Sequence, residues 1–224
     1  MTKELEICCD ASIRKFNEGT CYERTFGCAG AIALGYNMRK FLVLPDSTNN
    51  RSEITAIKLA VQLAKEILDV DKEITGVTIY SDSKFSVYGL TVWMDSWLQK
   101  RGKNGVLYNY SGQPVKNQNV FLEIIKYLYD NQLKIKFRHQ KGHIKATNEK
   151  DMAIANKVFY DSNGYYIDQK TLSRISYYNG IIDEETRNIL RGINATDYIM
   201  EEQDKKLKEM CYYIVPYDYK KCML

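Results

Sequence analysis

The chain has 224 residues, 45% of them apolar and 27% charged, with three prolines and thirteen glycines. That composition excludes wholesale disorder and a low-complexity chain, and the length suits one domain with an extension or two small ones. The net charge of +4 is uneven: residues 161–224 hold 9 Lys/Arg against 11 Asp/Glu, leaving 23 against 17 in residues 1–160, where an anionic partner is favoured.

In chain order, Leu5 to Cys9 reads as a strand ending at Asp10. Gly27 to Leu34 and Lys40 to Leu44 read as two more strands of an antiparallel meander. Ile57, Ala60, Val61, Ala64 and Leu68 then follow the spacing of one helix face, with Thr48, Asn49 and Asn50 as cap candidates. Gly76 to Tyr80 is a short β-branched strand stopping at Ser81 and Asp82. Helical stretches are expected over 83–100 and 117–130, a strand over Leu133 to Phe137, a loop at Gly142 and a helix over 148–160. The order is βββαβααβα, an α/β domain of about 160 residues. Asp161 to Gly164 marks its boundary with an acidic extension, 161–224, which holds 9 of the 18 tyrosines. Helical patterns near 183–191 and 195–210 give that extension a small helical character.

No apolar run approaches the roughly 20 residues of a membrane span, and Lys3, Glu4 and Glu6 break up any N-terminal leader pattern. A cytoplasmic monomer is therefore expected, without membrane association. The six cysteines, at 8, 9, 21, 28, 211 and 222, form no CxxC pair, so reduced, buried thiols are expected rather than a zinc site or a disulfide framework. With only His139 and His143, a histidine-rich metal centre is excluded.

Four acids stand out. Asp10 and Asp82 each follow an apolar strand, where ligand sites collect in α/β sheets. Glu53 lies four residues before Ile57, on the apolar stripe of its helix, and a carboxylate there is costly unless something neutralises it. Asp151 opens the last helical stretch. If such groups converge, each pair about 4 Å apart repels by roughly 4 kcal/mol at an effective dielectric of 20, so protons or divalent cations must offset the repulsion. An all-oxygen ligand set suits Mg²⁺ or Mn²⁺ rather than Zn²⁺ and points toward phosphoryl chemistry.

Taken together, these residues resemble type 1 ribonuclease H over about residues 1–160. Asp10-Ala11-Ser12 is similar to its first aspartate motif, Thr48-Asn49-Asn50-Arg51-Ser52-Glu53 to its TNNRxE segment, and Tyr80-Ser81-Asp82-Ser83 to its second aspartate motif. Lys141-Gly142-His143 resembles its mobile loop, and Asp151 to Ala155 the start of its last helix. Trp93, Trp97, Lys100-Arg101-Gly102 and Pro114 to Asn117 resemble the basic protrusion of bacterial members, which grips the DNA strand of a hybrid. Departures are Ala11 for a usual Gly, Lys84 for a frequent Gln, a His143–Asp151 loop about two residues shorter, and Thr147 for an expected Asn.

The resemblance implies a ribonuclease H-like mixed five-stranded sheet flanked by helices, and hydrolysis of the RNA strand of RNA/DNA hybrids to 5′-phosphate and 3′-hydroxyl ends. Asp10, Glu53, Asp82 and Asp151 would hold two Mg²⁺ ions, with Mn²⁺ as an alternative. Glu149 competes with Asp151 as the fourth ligand, and Asp151 is preferred because the apolar helical pattern follows it directly. His143 would assist proton transfer or product departure. Ser12, Thr48, Asn49, Asn50, Trp93, Trp97, Lys100, Arg101, Lys116 and Asn117 would bind the hybrid, and the extension would offer a surface for a protein partner or pack on the core. Two other readings stand beside this one: a catalytically silent hybrid-binding module, and a nuclease of the same superfamily acting on DNA, such as a junction resolvase.

Overall fold

The computed structural model describes residues 3–21, 23–144, 148–193 and 210–212. Its centre is a sheet in the order β5-β4-β1-β2-β3-β6. Strands β1 (Lys3–Phe16), β2 (Arg24–Ala33) and β3 (Met38–Leu44) form the antiparallel meander, while β4 (Ile74–Ser81) and β5 (Ile135–His139) run parallel to β1. The five expected strands are all present. A sixth, β6 (Met210–Tyr212), pairs with the outer edge of β3.

β1 does not end at Asp10 as its apolar run suggests. Pairing with β2 carries it on to Phe16, opposite Arg24, although the residues beyond Ser12 are polar and exposed. What stops near Asp10 is the parallel partner: the last β1–β4 pair is Cys9 with Ser81. Asp10 thus sits in mid-strand beside the open end of β4, and Asp82 follows at once.

Alternation along β1 divides the molecule into two layers. Leu5, Ile7, Cys9 and Ala11 face one core with α1 (Asn49–Val70) and α4 (Gln118–Asp130). The same core takes in the helical run α2 (Lys84–Tyr88), a π-helical turn Gly89–Trp93 and α3 (Met94–Gln99). Cys8, with Phe26, Cys28 and Phe41, faces the other core, closed by α5 (Glu149–Asn163) and α6 (Gln169–Gly192). Cys8, Cys9 and Cys28 are buried, unpaired thiols, as expected, whereas Cys21 is exposed.

The extension holds a longer helix than its sequence pattern suggests. α6 runs 24 residues and lays Leu172, Ile175, Ile182 and Leu190 on the second face of the sheet. Its buried stripe also carries Ser176, Asn179, Asp183 and Thr186; the first two break the apolar periodicity of the helix's first half and hide it. The helical pattern noted over 195–210 falls, up to residue 209, outside the described residues. No described helix is long and apolar enough to cross a membrane.

Candidate metal centre and active site

Three elements deliver three carboxylates to one point. Asp10 is 3% exposed on β1; the Ala11 amide donates to its Oδ1 at 2.7 Å and Asn179 Nδ2 to its Oδ2 at 3.0 Å. Asp82 leaves the end of β4. Its backbone carbonyl accepts from His139 Nε2 at 3.2 Å, so the other ring nitrogen, Nδ1, accepts from Ser162 Oγ at 2.8 Å. That neutral imidazole agrees with burial, which lowers the His139 pKa. Glu53, 7% exposed, comes from the N-terminal part of α1, whose cap is Thr48, accepting from the Arg51 amide at 3.3 Å. One oxygen from each of Asp10, Glu53 and Asp82 lies within 4.8 Å of the others.

Burial and mutual repulsion hold these groups toward their neutral forms. Asp10 is pushed up to about 8, by desolvation first and by the charge of Asp82 next. Glu53 is pushed up to about 10, by desolvation and then by Asp10, Asp82 and Asp183. Asp82 is raised by desolvation, against which the charge of His143 and hydrogen bonds from Asn179 and Asp10 act. Glu53 Oε2 is buried without a hydrogen-bond partner. An orphaned carboxylate oxygen is expensive in a dry interior, and a divalent cation supplies what it lacks. The residues therefore fit a hard cation with oxygen ligands.

A pH dependence follows. Between about pH 4.5 and 8 the unfolded chain has released the Asp10 and Glu53 protons while the folded, metal-free chain retains them. The unfolded state then binds fewer protons, and stability falls as pH rises. Carboxylates lowered by ion pairs, such as Asp69 and Asp71, act oppositely, but their contribution is complete once the unfolded groups have ionised, by about pH 5. Buried, neutral His139 acts oppositely below about pH 6.5, so melting in EDTA is expected to show a declining midpoint from about pH 6.5 to 8. Mg²⁺ should reverse the decline increasingly with pH, because binding requires deprotonated ligands. A midpoint in EDTA that climbs across this range would contradict the burial of the cluster.

Gly142 explains its own identity. A Cβ there would lie 1.9 Å from Asp82 Oδ2, so any side chain displaces the carboxylate. Gly142→Ala is expected to weaken Mn²⁺ binding about tenfold, the scale of disturbed ligand support, and to lower the metal-free melting temperature as well, because the new methyl would also meet Asp82 Cγ at 2.8 Å and Cβ at 3.0 Å. Titration calorimetry measures the first and scanning calorimetry the second.

The other residues anticipated from sequence are distributed as follows. Thr48, Asn49 and Asn50 are exposed at the head of α1, with Thr48 the cap and the two asparagines already in the first turn. The Ser12 hydroxyl is covered by α6, 2.8 Å from Thr186 Oγ1 and 3.4 Å from Asp183 Oδ1. Trp97 is 6% exposed and packs edge-on against Phe121, so it is a core residue and not a surface contact. Trp93 is half-buried beside Phe85 and Tyr88. Lys100 extends over the Tyr110 ring at 4.7 Å, Arg101 donates to the Gly105 carbonyl, Lys116 is exposed, and Asn117 takes a left-handed conformation before α4. His143 is exposed, with Nδ1 3.5 Å from Asp183 Oδ2.

Asp151 does not join the three clustered carboxylates. It sits with Glu149 in the first turn of α5, whose amides are capped by Asn148. Asp183 is not one of the three either, but it lies close enough that its charge acts on Asp10, Glu53 and Asp82. Asp183 and Asn179 escaped the sequence reading, although the available signal was the one that singles out Glu53. Asp183 stands next to Ile182 and one turn beyond Asn179, on a buried helical stripe.

The RNase H family profile matches residues 6–158. A ribonuclease H from Mannheimia succiniciproducens is 29% identical over 149 residues, covering 64% of this chain and 78% of the relative. Ribonuclease HI from Haemophilus influenzae is 31% identical over 150 residues, covering 64% and 80%. A solved structure described as LC9-RNase H1, a type 1 RNase H with the type 2 active-site motif, has 22% identity and a TM-score of 0.44, covering 75% of this chain and 78% of its own. The profile spans well over half of the sequence and contains Asp10, Glu53 and Asp82, so the chain belongs to the RNase H family.

Proposed function

We propose that this chain is a metal-dependent endoribonuclease that cleaves the RNA strand of RNA/DNA hybrids, leaving 5′-phosphate and 3′-hydroxyl ends. The observation that supports this most directly is the trio Asp10, Glu53 and Asp82, buried together with an unpartnered Glu53 oxygen inside the family match. Two Mg²⁺ ions bound there would activate a water molecule and stabilise the leaving 3′-oxygen at the scissile phosphate.

The protein's own groups divide the remaining work. Asp10, Glu53 and Asp82 hold the cations, and Asn179 and the Ala11 amide fix the orientation of Asp10. Asn49 and Asn50, exposed beside Glu53, offer amides to the RNA 2′-hydroxyl and the minor-groove base edges. Lys100, Arg101 and Lys116 neutralise phosphates of the DNA strand, so hybrid affinity should fall with salt. His143, exposed on its loop with Nδ1 3.5 Å from Asp183 Oδ2, would pass a proton to or from the reacting phosphate or help product leave. The Thr48 hydroxyl caps α1 and is also placed to meet a DNA phosphate.

The test is a substrate panel in Mg²⁺: labelled RNA/DNA hybrid, RNA duplex, DNA duplex and a four-way DNA junction. Cleavage confined to the hybrid's RNA strand supports the proposal. Cleavage of the junction would favour a DNA nuclease, and metal-dependent hybrid binding without turnover a silent reader. Either outcome overturns the proposal. Product ends are read by phosphatase sensitivity.

A further inference from the structure

The family match ends at residue 158, and α6 begins eleven residues later. Yet α6 is the helix that lies over Asp10. Asn179 donates to Asp10 Oδ2, and one turn on Asp183 accepts from Ser12, two residues from Asp10 on the same face of β1. Asp183 is 8% exposed, and its Oδ2 is held by Arg187 and approached by His143 at 3.5 Å. A polar cavity of about 400 Å³ opens against this side chain, lined by His143, Ser176, Asn179, Asp183, Glu184 and Arg187 among others. The buried Glu53 Oε2, whose carboxyl feels the charge of Asp183, has no protein partner.

We propose that α6 completes the cation site: Asp183, outside the matched family region, supplies the fourth carboxylate, and Asp151 does not. The inference rests on the metal-dependent reading above but concerns a different residue. Neither acid is within the tight trio, but Asp183 touches Ser12 and shares a helix face with Asn179, which holds Asp10, whereas Asp151 sits in the first turn of α5. Asn179 is a positioning residue in this scheme, orienting Asp10 from the same helix face. Two of the four polar residues that interrupt the apolar stripe of α6, Asn179 and Asp183, thereby acquire a reason to be polar.

The experiment is Mn²⁺ titration by calorimetry, without nucleic acid, on the full chain and on Asp183→Asn, Asp183→Glu and Asp151→Asn. Hybrid cleavage is measured in parallel. Asp183→Asn is expected to weaken Mn²⁺ binding by about tenfold or more, beyond the loss from Asp151→Asn, which should stay near the parent. Asp183→Glu keeps the charge and the Arg187 partner while moving the carboxylate by one methylene, so it should fold and bind Mn²⁺ more weakly than the parent. If Asp183→Asn fails to fold, the comparison of Asp183→Glu with Asp151→Asn carries the decision. Weaker binding in Asp151→Asn than in the Asp183 variants, or equal binding in all, overturns the assignment. A parent that binds Mn²⁺ through Asp183 but leaves hybrids intact would instead overturn the proposed substrate and leave this inference standing.

Discussion

Asp10→Asn is expected to abolish hybrid cleavage, lowering the rate by at least about 10²–10³-fold, the scale on which one preorganised electrostatic group registers. The same change should raise the melting temperature of the metal-free protein. Burial and the neighbouring acids push Asp10 up to about 8, so folding without metal must take up a proton there; a neutral amide of equal size avoids that cost in EDTA. A gain of about 1–3 kcal/mol is expected, the range for relieving a poorly satisfied buried polar group, or roughly 2–4 °C per kcal/mol for a chain of this size. Opposite signs for activity and stability are the signature of a functional carboxylate. Loss of both would mark Asp10 as a structural residue instead.

The surrounding hydrogen bonds allow this variant to fold. Gln140 Nε2 donates to Asn179 Oδ1 at 2.6 Å, and Asn179 Nδ2 donates to Asp10 Oδ2 at 3.0 Å. Gln140 Oε1 is left buried and unpartnered. If residue 10 presents an amide nitrogen toward Asn179, the Asn179 and Gln140 amides can both turn over, and each contact is again donor to acceptor. The variant's circular dichroism should match the parent's, which separates lost chemistry from lost structure.

Most of the scaffold was legible because its signals are local. The β1–β3 meander and β4 show as apolar runs bounded by polar turns, and α1 as a periodic stripe whose cap, Thr48, is visible in sequence. Glu53 was readable because an acid on an otherwise apolar stripe is an anomaly that one helix suffices to expose. Where residues beyond one element decide the outcome, the reading failed. β1 continues past Asp10 because β2 pairs with it, not because its outer residues are apolar. Trp97 looks like part of an aromatic and basic surface, but Phe121 of α4 buries it. α6 was half hidden because Ser176 and Asn179 interrupt its first half, on a buried stripe that faces a polar site existing only once β1 lies beneath it. Asp151 and Asp183 are each plausible acids on a helix. Only the packing of α6 against β1 puts Asp183 beside Asp10.

That packing predicts the largest structural effect. A chain ending at Gly164 is expected not to fold to the native state, even though it retains every residue matched by the family profile. Removing α6 exposes Cys8, Cys28, Phe41 and Val43 on the second sheet face and strips away Leu172, Ile175, Ile182 and Leu190. Each of the four lost side chains contributes about 1.5–3 kcal/mol on burial, a combined loss of the same order as the net stability of a whole domain, about 5–15 kcal/mol. It also removes Arg174, which pairs with Glu6, and uncovers Asp10 and Ser12. Expression of the truncated chain should yield aggregated protein, or a compact state that loses near-ultraviolet dichroism while keeping its far-ultraviolet signal. Co-expressing residues 165–224 as a separate chain should restore part of the native signal if the helix docks on the same face. A truncated chain that melts cooperatively within a few degrees of the parent would show that α6 is an appendage, and the second core would then have to be closed by α5 alone.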